Sequence, residues 1–199
     1  MLKLQNMSFQ SRSEAIINES MAIKRAMLLD THLLAVIDRA VHYCLETYQN
    51  DGKLLFCGNG GSAADAQHLA AEFSGRFYKD RAPLFAEALH VNTSFFTAVC
   101  NDYSFEEVYA RNVEAMGRVG DVLFCISTSG NSVNIIRAAQ RAKRHKLKVI
   151  AMTGKSGGNL AKHCDLLLNV PSSDTPRIQE AHILIGHIIC ELVEAEYFS

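Results

Sequence analysis

The chain has 199 residues, 48% of them hydrophobic and 21% charged, an ordinary globular composition that suits one α/β domain with a helical extension. Its formal net charge of −1 gives no global field for nucleic acid or an anionic membrane, so neither is an expected partner, although local groups can still bind a small phosphorylated ligand. The six cysteines have no CxxC spacing, and Cys57, Cys125 and Cys190 lie within apolar runs as small core residues, which points to a reducing cytosol rather than a disulfide framework. The opening stretch MLKLQNMSFQSRSE lacks the apolar run of a secretory signal, and no segment approaches the roughly 20 apolar residues of a membrane span. The expectation is a cytoplasmic protein.

Two helices are predicted first, over Ser13–Met27 and His32–Tyr48, from apolar positions at helical spacing such as Leu33, Val36, Ile37 and Ala40. A doubly wound domain normally begins with a strand, so this opening suggests a helical layer used for oligomerisation. Short apolar runs then alternate with helical segments. The predicted strands are Lys53–Cys57, Ala86–Val91, Val122–Ser127, Lys148–Thr153 and Leu166–Val170. Helices are predicted between them at Ala63–Phe77, Phe105–Met116, Val133–His145 and Asn159–His163, with a last one from about Arg177 to Glu196. This alternation implies a parallel sheet covered on both faces, with ligands bound beyond the carboxyl ends of the strands. Three glycine-bearing turns fall there: GNGGS at 58–62, STSGNS at 127–132 and TGKSGG at 153–158.

STSGNS places four hydroxyls, on Ser127, Thr128, Ser129 and Ser132, around a helix N-terminus, whose free N–H groups and partial positive charge suit a phosphate dianion. Helix capping alone would explain one such hydroxyl rather than four. GNGGS with Ala63 reads G-x-G-x-x-A, near the dinucleotide fingerprint, but no acidic residue closes the second strand. Sugar contact and a tight turn are the other readings. GKS at 154–156 is not a Walker A loop, because Val149 stands where its first glycine is required. His68 and Glu72 are four residues apart and share a helix face, which fits proton shuttling, zinc binding or a solvated pair. His187 sits in the apolar run IGHII, where a core histidine is as good a reading as a functional one. Glu180 shares its face, seven residues earlier.

The combination GNGGSAADAQH-x-x-x-E, Asn101–Asp102, STSGNS and SSDTPRIQE-x-H with a later GH resembles the phosphoheptose isomerase family, over nearly the whole chain. STSGNS by itself resembles only the broader SIS domain. The resemblance implies a five-stranded parallel sheet and a single SIS domain over 1–199, with residues 1–50 as the helical extension and 51–199 as the α/β core. It implies conversion of sedoheptulose 7-phosphate into D-glycero-D-manno-heptose 7-phosphate for bacterial lipopolysaccharide, through an enediol. Glu72 and His187 would be the catalytic acid/base pair. His68, Glu72, Gln179 and His187 would hold one zinc per subunit. Asn59, Gly60, Gly61, Ser62, Glu72, Asn101, Asp102, Ser127, Thr128, Ser129, Ser132 and Gln179 would contact substrate. The family is typically a homotetramer with active sites at subunit interfaces. Gln179 and His187 are about 12 Å apart along an ideal helix, so either Gln179 precedes the regular helix or the two come from different subunits.

The alternative is a non-catalytic SIS protein that binds the bacterial replication initiator or senses a sugar phosphate. The known initiator-binding relative lacks the catalytic carboxylate and the last-helix histidine. Both Glu72 and His187 are present here.

Overall fold

Alternation within each strand builds two cores on the two faces of one sheet. A computed structural model describes residues 7–199; residues 1–6 of the opening stretch lie outside it. The strands are β1 Leu54–Gly58, β2 Ala86–Ala88, β3 Val122–Ile126, β4 Lys148–Thr153 and β5 Leu166–Asn169, all parallel, in the order β2-β1-β3-β4-β5. Leu54, Phe56, Val122, Phe124, Ile126, Ile150 and Met152 point to one face, and Leu55, Cys57, Leu123, Cys125, Val149 and Ala151 to the other. Each fully buried large apolar side chain adds roughly 1.5–3 kcal/mol. Phe56 and Phe124 stack across β1 and β3 at 4.8 Å between ring centroids. All six cysteines are free.

The first face is covered by α1 Phe9–Leu29, α2 Thr31–Gln49, α3 Gly61–Ser74 and α7 Thr175–Tyr197. The second is covered by α4 Thr93–Asp102, α5 Val108–Met116, α6 Val133–Arg144 and a short 3₁₀ turn, Asn159–His163. The second strand is shorter than its apolar run, ending at Ala88 before a turn. Residues 93–102, which the periodicity left without an element, form α4. Asn92 caps it by accepting from the Phe95 N–H at 3.0 Å. Pro176 sits in the first turn of α7, where a missing N–H is harmless, so Gln179 lies inside the regular helix.

Two close approaches fix how α3 and α7 run. A Cβ on Gly61, at the start of α3, would meet the Gln179 side chain at 2.4 Å, and one on Gly186 would meet Leu69 at 2.4 Å. Gln179 to Gly186 on α7 therefore runs beside Gly61 to Leu69 on α3, and the helices are parallel with both N-termini at the carboxyl end of the sheet. α1 joins this layer through Ser20, which donates to Glu180 at 2.6 Å, and buries only Met27. Phe9, Ile17, Met21, Leu28 and Leu29 of α1 are exposed. Among the described residues no helix is long and apolar enough to cross a membrane.

Candidate active site

Among the described residues, the N-cap side chains of α3, α5, α6 and α7 accept no bond from their first turns, whereas α1, α2 and α4 are capped by Ser8, Asp30 and Asn92. Ser132 precedes α6, yet its hydroxyl faces that of Ser127 at 3.2 Å instead of the helix N–H groups. The capping explanation of Ser132 therefore does not hold; the Ile135 N–H is taken by Asn134 Oδ1 at 3.0 Å, and the first two N–H groups of α6, on Val133 and Asn134, are left for a ligand. Chain reversal from β2 across β1 to β3 puts a crevice between the β1 and β3 loops, where doubly wound sheets bind ligands.

The STSGNS loop is built on backbone contact with the turn after β4. The Gly154 N–H donates to the Thr128 carbonyl and the Leu160 N–H to the Gly130 carbonyl, both at 2.9 Å. A cavity of about 660 Å³ opens here, lined by Thr128, Ser129 and Asn131 and by Lys155, Ser173 and Thr175. Lys155 brings an exposed ammonium to a cavity whose STSGNS hydroxyls are neutral. Neither Lys155 nor Ser173 was singled out by sequence, although TGKSGG was marked as a turn at the right end of the sheet.

GNGGS turns differently. Gly60 adopts φ +56° before α3, and the Tyr109 hydroxyl donates to the Gly58 carbonyl. Asn59 and Asn134 exchange side-chain hydrogen bonds at 2.8 and 2.9 Å, so Asn59 ties this turn to the start of α6. Asn134 carried no signal beyond its place after STSGNS. Asn59 and Gly60 also border a separate, largely apolar cavity of about 260 Å³ beside Phe96 and Tyr109. Ser62 is buried in the first turn of α3.

About two to three turns further along α3 the second cluster forms. His68 Nε2 and Glu72 Oε1 are 2.9 Å apart, and the His68 and His187 rings lie 5.0 Å apart between centroids. One donor atom each from His68, Glu72 and His187 lie within 4.8 Å of one another. His187 Nε2 is buried and has no hydrogen-bond partner among the described residues. Two imidazoles and a carboxylate with an orphaned nitrogen fit a divalent cation of zinc-like preference.

Other predicted residues stand apart. Gln179 lies beside Gly61, about 12 Å along α7 from His187. Asn101 and Asp102, at the exposed end of α4, hydrogen-bond to each other at 2.8 Å and line neither cavity. Glu180 is held by Ser20 and Arg177. His182 is the core histidine of α7: its Nε2 lies 3.2 Å from the Thr153 carbonyl, and burial pushes its pKa down to about 4.

The SIS domain family matches residues 16–154. The phosphoheptose isomerase of Aneurinibacillus thermoaerophilus is 50% identical over 92% of each chain. The solved phosphoheptose isomerase of Neisseria gonorrhoeae is 45% identical with a TM-score of 0.89, covering 94% of this chain and 100% of the other. That of Francisella tularensis is 36% identical with a TM-score of 0.90, covering 95% and 100%.

Proposed function

The chain belongs to the SIS-domain phosphoheptose isomerases and is a sugar-phosphate isomerase, and from that premise we propose that it converts sedoheptulose 7-phosphate into D-glycero-D-manno-heptose 7-phosphate for bacterial heptose and lipopolysaccharide synthesis. The observation that carries this reading is the convergence of His68, Glu72 and His187 on α3 and α7, whose N-termini lie at the carboxyl end of the sheet with the STSGNS loop.

STSGNS and the N-terminus of α6 hold the phosphate, far from the reacting carbons, with Lys155 adding charge. Glu72 takes a proton from C1 to give an enediol, the proton returns at C2, and His187 moves the oxygen-bound proton. A zinc ion held by His68, Glu72 and His187 would polarise the carbonyl and stabilise the enediolate. Gln179, Asn101 and Asp102 complete the site across a subunit interface. The exposed Ile17, Met21 and Leu28, which share one side of α1, support that assembly, because exposed apolar surface of this kind marks a contact region. A homotetramer is expected by light scattering, and a monomer at micromolar concentration would remove the shared site. The phosphorylated substrate and the free cysteines support a cytoplasmic setting.

Purified protein given sedoheptulose 7-phosphate in deuterated water is expected to form the aldose phosphate with deuterium at C2. Loss of activity on chelation and its return with zinc supports the metal. No product with or without zinc rejects the isomerisation of this sugar.

A further inference from the structure

Below the cluster lies a buried ion pair that no role assigned above uses. Arg81 and Glu194 are each 3% exposed in their side chains and meet at 2.8 Å. Arg81 also donates to the carbonyls of Glu72 at 3.0 Å, Phe73 at 2.8 Å and Gly75 at 3.2 Å. α3 ends at Ser74, so the Glu72 and Phe73 carbonyls belong to its last turn, where intrahelical donors run out. One guanidinium thus closes the turn that bears Glu72.

Glu194 continues the connection on the other side. Its carboxylate accepts from the backbone N–H groups of Phe77, Tyr78 and Lys79 at 2.9, 2.6 and 2.8 Å. Burial acts to raise its pKa, but the three amides and Arg81 outweigh it and hold the group down to about 2. The Phe77 ring packs on the His187 ring at 5.6 Å between centroids. Glu194 itself is seven residues beyond His187, two turns down the same face of α7.

A buried charge pair is a poor device for stability alone, because well-packed apolar residues of similar volume often serve as well. What apolar residues cannot do is hold several named carbonyls and amides in one arrangement. We propose that Arg81 and Glu194 are positioning residues for the isomerisation, fixing Glu72 through the end of α3 and His187 through Phe77. The proposal rests on the reading of Glu72 and His187 as the catalytic pair.

Lysine retains the charge of Arg81 but lacks the planar fork that reaches both Glu194 and the carbonyls. Arg81→Lys is therefore expected to lower kcat on the order of 100-fold with KM within about threefold, since misplacement of a reacting group by about 1 Å has that effect. Both constants are measured per folded molecule, well below the variant's melting temperature. A lowered melting temperature with kcat within about threefold of the parent means a structural role only, and overturns the proposal. If Arg81→Lys does not fold, Phe77→Leu reads the other arm with the ion pair intact: a kcat loss of about tenfold at unchanged KM supports the proposal, and an unchanged kcat overturns it. Glu72→Gln is measured beside them. If it stays active, the catalytic reading falls and the proposal with it; if it is inactive while Arg81→Lys is fully active, the positioning role alone falls.

Discussion

Glu72→Gln is expected to lower kcat on the order of 10²–10⁴-fold while calorimetric affinity for the sugar phosphate is retained. Glutamine keeps the size of the side chain and an oxygen that can still accept from His68 Nε2, now 2.9 Å from the carboxylate. What it removes is the basicity. Glu72 is the carboxylate of the His68–Glu72–His187 cluster, so abstraction from C1 has no substitute of similar strength there. Phosphate binding sits at the far end of the sugar, in a different loop, and has no reason to change. Retention of more than about a tenth of kcat, equivalent to about 1.4 kcal/mol of barrier, would dismiss Glu72 as the base. The zinc content of the variant separates two effects: lost metal with lost turnover assigns Glu72 to the ligand set, and retained metal with lost turnover assigns it to proton transfer.

The parallel core was legible because its strands are apolar on both faces, and five short runs divided by helical pattern leave few other arrangements. β3 and β4 appear nearly where the runs place them. α4 was not legible. Its sequence TSFFTAVCND is rich in aromatic and β-branched residues, which favour strands locally, and its helix depends on the Asn92 cap and on packing of Phe95, Phe96 and Val99 against the second face. His68 and Glu72 were readable as a pair from their spacing. Their meeting with His187 was not, since it depends on α3 and α7 packing in parallel, which Gly61 and Gly186 permit through contacts far apart in sequence. Arg81 and Glu194 left no local trace for the same reason: the pair spans 113 residues. Asn101 and Asp102, which line neither cavity, and Gln179, which lies beside Gly61 but about 12 Å along α7 from His187, came from resemblance, and a resemblance to an assembled enzyme carries residues that one subunit need not bring together.

Gly130→Ala is expected to raise KM on the order of 100-fold, or to leave no measurable turnover, and the argument lies in how two loops touch. Gly130 has φ +64°, a conformation costing a residue with a Cβ roughly 1–2 kcal/mol. Its added Cβ would stand 2.1 Å from the Gly157 carbonyl oxygen, and a Cβ on Gly158 would stand 2.5 Å from the Ser129 carbonyl oxygen. Both obstructions are backbone, so no side chain can swing aside. The STSGNS loop must instead lift away from TGKSGG, which takes Ser129 and Asn131 from their present positions beside the cavity and weakens the Leu160 N–H bond to the Gly130 carbonyl. Phosphate contacts act on ground state and transition state alike, so the loss falls on KM more than on kcat. Gly120→Ala is the control. Gly120 has φ +91°, and among the described residues nothing lies within 4 Å of its would-be Cβ. That variant carries backbone strain without the collision, far from the crevice, and should lose a few degrees of melting temperature at roughly 2–4 °C per kcal/mol with KM unchanged. A Gly130→Ala enzyme with parental KM would remove STSGNS as the seat of the phosphate, because no displacement of that size could leave its four hydroxyls and a helix end in register with one dianion.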